Sequence, residues 1–149
     1  MIDREPALLD TNVLVYATFK DDPFYSKAKE LQVRVISGTI RACLTPQVLT
    51  EYYSAVTNPR RVTNPISPRE AREVIEAYLK AASIFKIYVK ETTVKKMVEL
   101  AEQHKVKGQD IFDVMLVATM LDNEIKRIYT ANEEDFKKFE GIEVINPFK

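Results

Sequence analysis

The stretch LLDTNVLVY (residues 8–16) sets the problem. A short apolar run over residues 7–9 stops at a carboxylate, Asp10, followed by Thr11 and Asn12; apolar spacing then resumes at Val13, Leu14, Tyr16 and Ala17. That change of period reads as a buried strand giving way to a helix. Two roles are open to Asp10. As a helix cap, its side chain accepts hydrogen bonds from the free N–H groups of the first turn. As a ligand, it stands just beyond the carboxyl end of a strand, where open α/β sheets place their sites. The stretch alone does not separate them.

Working outward, short apolar runs alternate with helical periodicity along the whole chain. Strands are expected at 7–9, 42–44, 86–89, 128–130 and 142–145. Helices are expected from 11 to about 19, 24 to 37 with Gly38 closing it, and 46 to 57 with Pro46 in the first turn. Ser67, Pro68 and Glu70 have the form of a capping box, and Ala71, Val74, Ile75, Tyr78, Leu79 and Ala82 continue it as an apolar stripe. Further helices are expected at 92–104 (Val94, Met97, Val98 and Ala101 inward), at 110–124, and at 132–139. The segment 110–124 is apolar almost all round and should lie buried. Strands alternating with helices imply right-handed crossovers, a largely parallel sheet and helices on both faces: an α/β fold.

Three glycines in 149 residues and no Ser/Gly-rich linker point to one domain over residues 1–149. With 22 basic against 22 acidic residues the chain has no general affinity for polyanions, although a local basic patch is enough to steer one. A single cysteine, Cys43, excludes an internal disulfide, and MIDREPALLD lacks the apolar core of a signal peptide; a cytoplasmic protein is expected.

Other acids stand in unusual company. Glu51 lies in a mostly apolar helix after the second strand, Asp113 in the first turn of the most apolar helix, and Asp135 shortly after the fourth strand. Taken singly, each has a plain explanation: a cap, a charge complementing a helix dipole, a solvated face. Asp10, Glu51 and Asp135 each follow a strand, at the carboxyl edge of the sheet; Asp113 opens a helix that precedes a strand, and the start of that helix can still curve towards the same edge. Two carboxylates about 4 Å apart repel by roughly 4 kcal/mol at an effective dielectric near 20. Such a cluster calls for a bound cation or shared protons, and oxygen ligands favour Mg²⁺ or Mn²⁺. Asp110, after Gly108 and Gln109, has the simpler task of capping the helix that Asp113 enters at its third position. His104, the only histidine, sits near a helix end, and Cys43 reads as core.

These segments resemble the PIN-domain family, in particular its small VapC-type ribonuclease toxins. LLDTNVLVY is similar to the family's opening strand with the first acid, Asp10. TPQVLTEYYSAVTNPR (45–60) resembles the segment of the second acid, Glu51, and VKGQDIFDVMLVATM (106–120) that of the third, Asp113. IYTANEEDFKKFEGIEVINP (128–147) resembles the closing segment, with Thr130, Asn132 and Asp135 in family-like positions. Asn132 stands where relatives often carry an acid, which leaves Asp135 to supply the fourth carboxylate.

The resemblance implies a three-layer α/β/α sandwich whose acidic pocket binds Mg²⁺ or Mn²⁺ and cleaves single-stranded RNA. It also implies a toxin restrained by a cognate antitoxin, and a homodimer. On that reading Asp10, Glu51 and Asp113 hold the ion directly or through waters. Asp135 and Asn132 orient water or the ion's outer shell, while Thr11, Asn12 and Thr130 fix the Asp10 carboxylate. Arg60 and Arg61, in TNPRRVTNP (57–65), are the candidate RNA contacts, against the alternative of solvated loop arginines. Two other functions fit the same residues less well: a housekeeping PIN nuclease of RNA processing, and a catalytically silent RNA- or protein-binding module.

Overall fold

A computed structural model describes residues 3–149. Five strands, β1 (Asp3–Leu9), β2 (Ile40–Leu44), β3 (Ile84–Lys86), β4 (Arg127–Tyr129) and β5 (Glu143–Ile145), form one parallel sheet in the order β3-β2-β1-β4-β5. Six helices connect them: α1 (Thr11–Tyr16), α2 (Tyr25–Ile36), α3 (Pro46–Val56), α4 (Pro68–Lys80), α5 (Glu91–Gln103) and α6 (Ile111–Asp122). The chain steps outward from β1 to β2 and β3, then returns across the sheet to β4. Right-handed crossovers therefore place the first four helices on one face and α5 and α6 on the other. The order reverses between β1 and β4, which opens a crevice at their carboxyl ends.

The strands are apolar because both faces of the sheet are covered. Leu8, Leu44, Ile84 and Ile128 from four neighbouring strands are buried, as are Leu116, Val117 and Met120 of α6. Cys43 is wholly enclosed in β2, and burial pushes its thiol up to about 12, so it stays an inert core residue. Among the described residues no helix is long and apolar enough to cross a membrane.

Besides β1, which begins at Asp3, and α1, which ends at Tyr16, three elements differ from the sequence expectation. The third strand occupies Ile84–Lys86 rather than 86–89, because its register is set by β2: Ala42 faces Ile84 and Leu44 faces Lys86. Ile87 still donates its N–H to the Leu44 carbonyl (3.0 Å), but Tyr88 (57% exposed) and Val89 (45%) lie at the surface. Residues 132–139 form no α-helix. They hold a 3-10 turn at Glu133–Asp135, and the buried Phe136 and Phe139, three residues apart, suit a three-residue turn. Finally, α5 is rotated from its apolar stripe. Thr93 is fully buried, with its hydroxyl donating to Asp122 and accepting from the Lys90 N–H, whereas Val94 and Val98 are exposed.

The α4 capping box is as expected: Ser67 Oγ accepts from the Glu70 N–H (3.1 Å) and Glu70 Oε1 accepts from the Ser67 N–H (3.2 Å). Ser67→Ala should lower unfolding stability in urea by roughly 0.5–2 kcal/mol. An unchanged midpoint would show that Pro68 and the apolar face carry the helix start alone.

Candidate active site

The crevice between β1 and β4 is closed by hydrogen bonds around one carboxylate. Asp10 is only 7% exposed. Its N–H continues the β1–β4 ladder by donating to the Tyr129 carbonyl (3.0 Å), which fixes where the side chain emerges. Asp10 Oδ1 accepts from the Thr11 N–H (2.8 Å), while Oδ2 accepts from Thr130 Oγ1 (2.7 Å) and Asn12 Nδ2 (3.1 Å). Asn12 also donates to Thr130 Oγ1 (3.2 Å), and its Oδ1 accepts from the Ala131 N–H (3.1 Å). Asp10 is thus at once the residue preceding α1 and the head of an acidic site; the two roles coincide. Burial pushes its carboxyl above the usual range, and the charge of Glu51 adds to this, while the bonds from Thr130, Thr11 and Asn12 pull it back.

Glu51 reaches the same place from α3. Its Oε2 accepts from Thr11 Oγ1 (2.9 Å) and its Oε1 from Gln47 Nε2 (3.0 Å). The Thr11 side chain therefore serves Glu51, and only its backbone serves Asp10. Asp113, half-buried in the first turn of α6, completes the floor. Among the described residues no hydrogen-bond donor or cation reaches its carboxylate. Burial raises it to about 6, helped by the charges of Asp135, Asp10, Glu51 and Asp110.

These acids share one cleft of about 840 Å³, lined by Asp10, Glu51, Asp113, Asp135, Asn132 and Arg61 among others. Asp135 and Asn132 come from the 3-10 turn after β4, and the Asn132 N–H is held by Thr130 Oγ1 (2.9 Å). Arg60 and Arg61 are both exposed in one turn; Arg61 lines the cleft and Arg60 does not. At one end Tyr16 packs against Phe24 and Phe148, with ring centroids 5.2 Å away in each case. His104 packs edge-on against Phe139 (4.8 Å) and takes no part.

Asp110 does not cap α6. Its backbone is already helical, because a 3-10 turn over Gly108–Asp110 runs straight into the helix, and its side chain accepts no capping bond. It is an exposed acid whose charge acts on Asp113. Sequence reading missed Gln47, Lys20, Asp21 and Asp22, all at or beside the cleft. Gln47 had a legible signal, lying four residues before Glu51 on one helix face.

The donor set, all hard oxygen, fits a hydrated divalent cation. Among the described residues no group of three or more Asp, Glu, His or Cys side chains stands as a ready-made ion cage.

The sequence matches the PIN domain family over residues 7–142. Ribonuclease VapC48 of Mycobacterium tuberculosis (strain ATCC 25618 / H37Rv) is 32% identical over 139 residues, covering 93% of this chain and 95% of that protein. Among solved structures, VapBC-1 from nontypeable Haemophilus influenzae aligns with a TM-score of 0.66 at 14% identity, covering 97% of this chain and 99% of that one. VapC20 of Mycobacterium tuberculosis, described as a Sarcin-Ricin loop cleaving toxin, aligns at 0.65 and 16% identity, covering 91% and 98%. At such identities the structural likeness is one of fold.

The raised Asp113 gives a pH signature. Between its ordinary value near 3.8 and its folded value of about 6, the folded chain holds a proton that the unfolded chain has released. Stability from this group therefore falls as pH rises through that window. In the presence of a chelator, Asp113→Asn should gain melting temperature over the parent chain progressively from pH 4 to about pH 6. A difference that stays flat with pH would remove Asp113 from the repelling cluster.

Proposed function

The chain belongs to the PIN-domain family, and on that premise we propose that it is a divalent-metal-dependent endoribonuclease, the toxin of a toxin–antitoxin pair, cutting single-stranded RNA. The observation that carries this reading is the convergence of Asp10, Glu51, Asp113 and Asp135 on one cleft at the reversal point of the sheet. Structural neighbours described as toxin–antitoxin complexes, such as the one from Klebsiella pneumoniae, support an antitoxin as protein partner.

In this mechanism Asp10, Glu51 and Asp113 would hold Mg²⁺ or Mn²⁺ directly or through water. The bound ion supplies a water of lowered pKa and neutralises charge developing on the phosphodiester. Thr11, Asn12 and Thr130 keep the first two carboxylates aimed: Asp10 Oδ2 is filled by two donors, while Asp10 Oδ1 and each Glu51 oxygen take one donor and keep a lone pair free. Asp135 and Asn132, which line the same cleft, would orient the attacking water. Arg61 holds a phosphate against the cleft, where the acids alone would repel the RNA backbone.

Millimolar Mn²⁺ should raise the melting temperature by binding the folded state preferentially, and a chelator should reverse both that rise and RNA cleavage. Asp113→Asn should lower cleavage at least 10–100-fold with metal-free stability kept or increased. Cleavage that persists in chelator would overturn the metal reading. Replacing Arg61 by Ala should reduce the slope of log affinity for single-stranded RNA against log salt by about 0.7, the share of one phosphate contact. The same change at Arg60 should leave the slope as it is; equal effects would mean that both arginines are merely part of a diffuse positive field.

A further inference from the structure

We propose that Gln47 is a positioning residue that sets the separation between Glu51 and Asp113; the inference rests on the metal-dependent reading above. Gln47 Nε2 donates to Glu51 Oε1 (3.0 Å) and also to the Phe112 carbonyl (2.9 Å), the residue immediately before Asp113. One NH₂ group has two hydrogens, and both are used. The opposite orientation of the amide would aim its oxygen at a carboxylate and a carbonyl, two acceptors, so the chemistry admits only this one.

The base of the strut is rigid. Gln47 lies in the first turn of α3, where Thr45 Oγ1 accepts from the Val48 N–H (3.0 Å) and Pro46 fixes the backbone. Glu51 is consequently gripped on both oxygens, by Thr11 from α1 and by Gln47 from its own helix. Asp113 has no such grip among the described residues. Its place is set by the first turn of α6, and Gln47 of α3 holds that turn through the Phe112 carbonyl. A neutral donor is required here: a carboxylate of the same length would meet Glu51 and a carbonyl with like charge, and a thioether would reach without donating.

The test compares Gln47→Met and Gln47→Glu with the parent chain. Mn²⁺ affinity is measured by calorimetric titration, the melting temperature in chelator, and kcat and KM for a single-stranded RNA at saturating Mn²⁺. Both variants should bind Mn²⁺ roughly 10–100-fold more weakly, with kcat reduced, KM for RNA nearly unchanged, and the chelated melting temperature moved by no more than a few degrees. Parent-like Mn²⁺ affinity in both variants would overturn the proposal while leaving the metal site standing. A parent chain that binds no Mn²⁺ overturns both. If both variants unfold in chelator, Gln47 is structural and the proposal fails.

Discussion

Asp10 lies almost out of water at the seam between β1 and β4, and its donors come from three places in the chain: the Thr11 backbone, the Asn12 amide and the Thr130 hydroxyl. An ionised carboxylate buried without partners would cost several kcal/mol. The requirement to satisfy Asp10 therefore dictates the residues around it and ties together two strands whose chain positions are far apart. Thr130 donates to Asp10 and accepts from Asn12 and from the Asn132 N–H, so the loop carrying Asp135 is anchored by the same hydroxyl.

The second constraint is repulsion. Burial above all, then neighbours of its own sign with no compensating donor among the described residues, raises the Asp113 carboxyl to about 6. A cleft built this way is destabilising in itself at neutral pH. The surrounding core offsets that: Leu8 of β1, Leu44 of β2, Ile128 of β4 and Leu116 of α6 are all buried.

The sequence was readable where local rules and burial agree. Thr45 and Ser67 cap as their side-chain chemistry requires, and the four acids stand after strands or at the head of the buried helix, as their neighbours implied. It misled where tertiary packing overrode local pattern. Tyr88 and Val89 look like strand residues but fall beyond the last rung that β2 offers. Val94 and Val98 look inward-facing, yet α5 turns Thr93 to the interior because Asp122 accepts from it there. Asp110 looks like a cap, but the 3-10 turn leading into α6 leaves no extended residue for a cap to occupy.

By itself, then, the order of residues determined the α/β alternation and most of the helix starts and singled out acids that the fold gathers in one cleft, since period, capping chemistry and the cost of placing carboxylates among apolar residues are all local. What only the tertiary structure decided was which groups meet. Thr11 turns its hydroxyl to Glu51 rather than to Asp10, Arg61 faces the cleft while Arg60 does not, and Gln47 bridges α3 to α6. Such pairings depend on how the crossovers bring distant segments to one edge of the sheet, and no spacing along the chain encodes a distance across it.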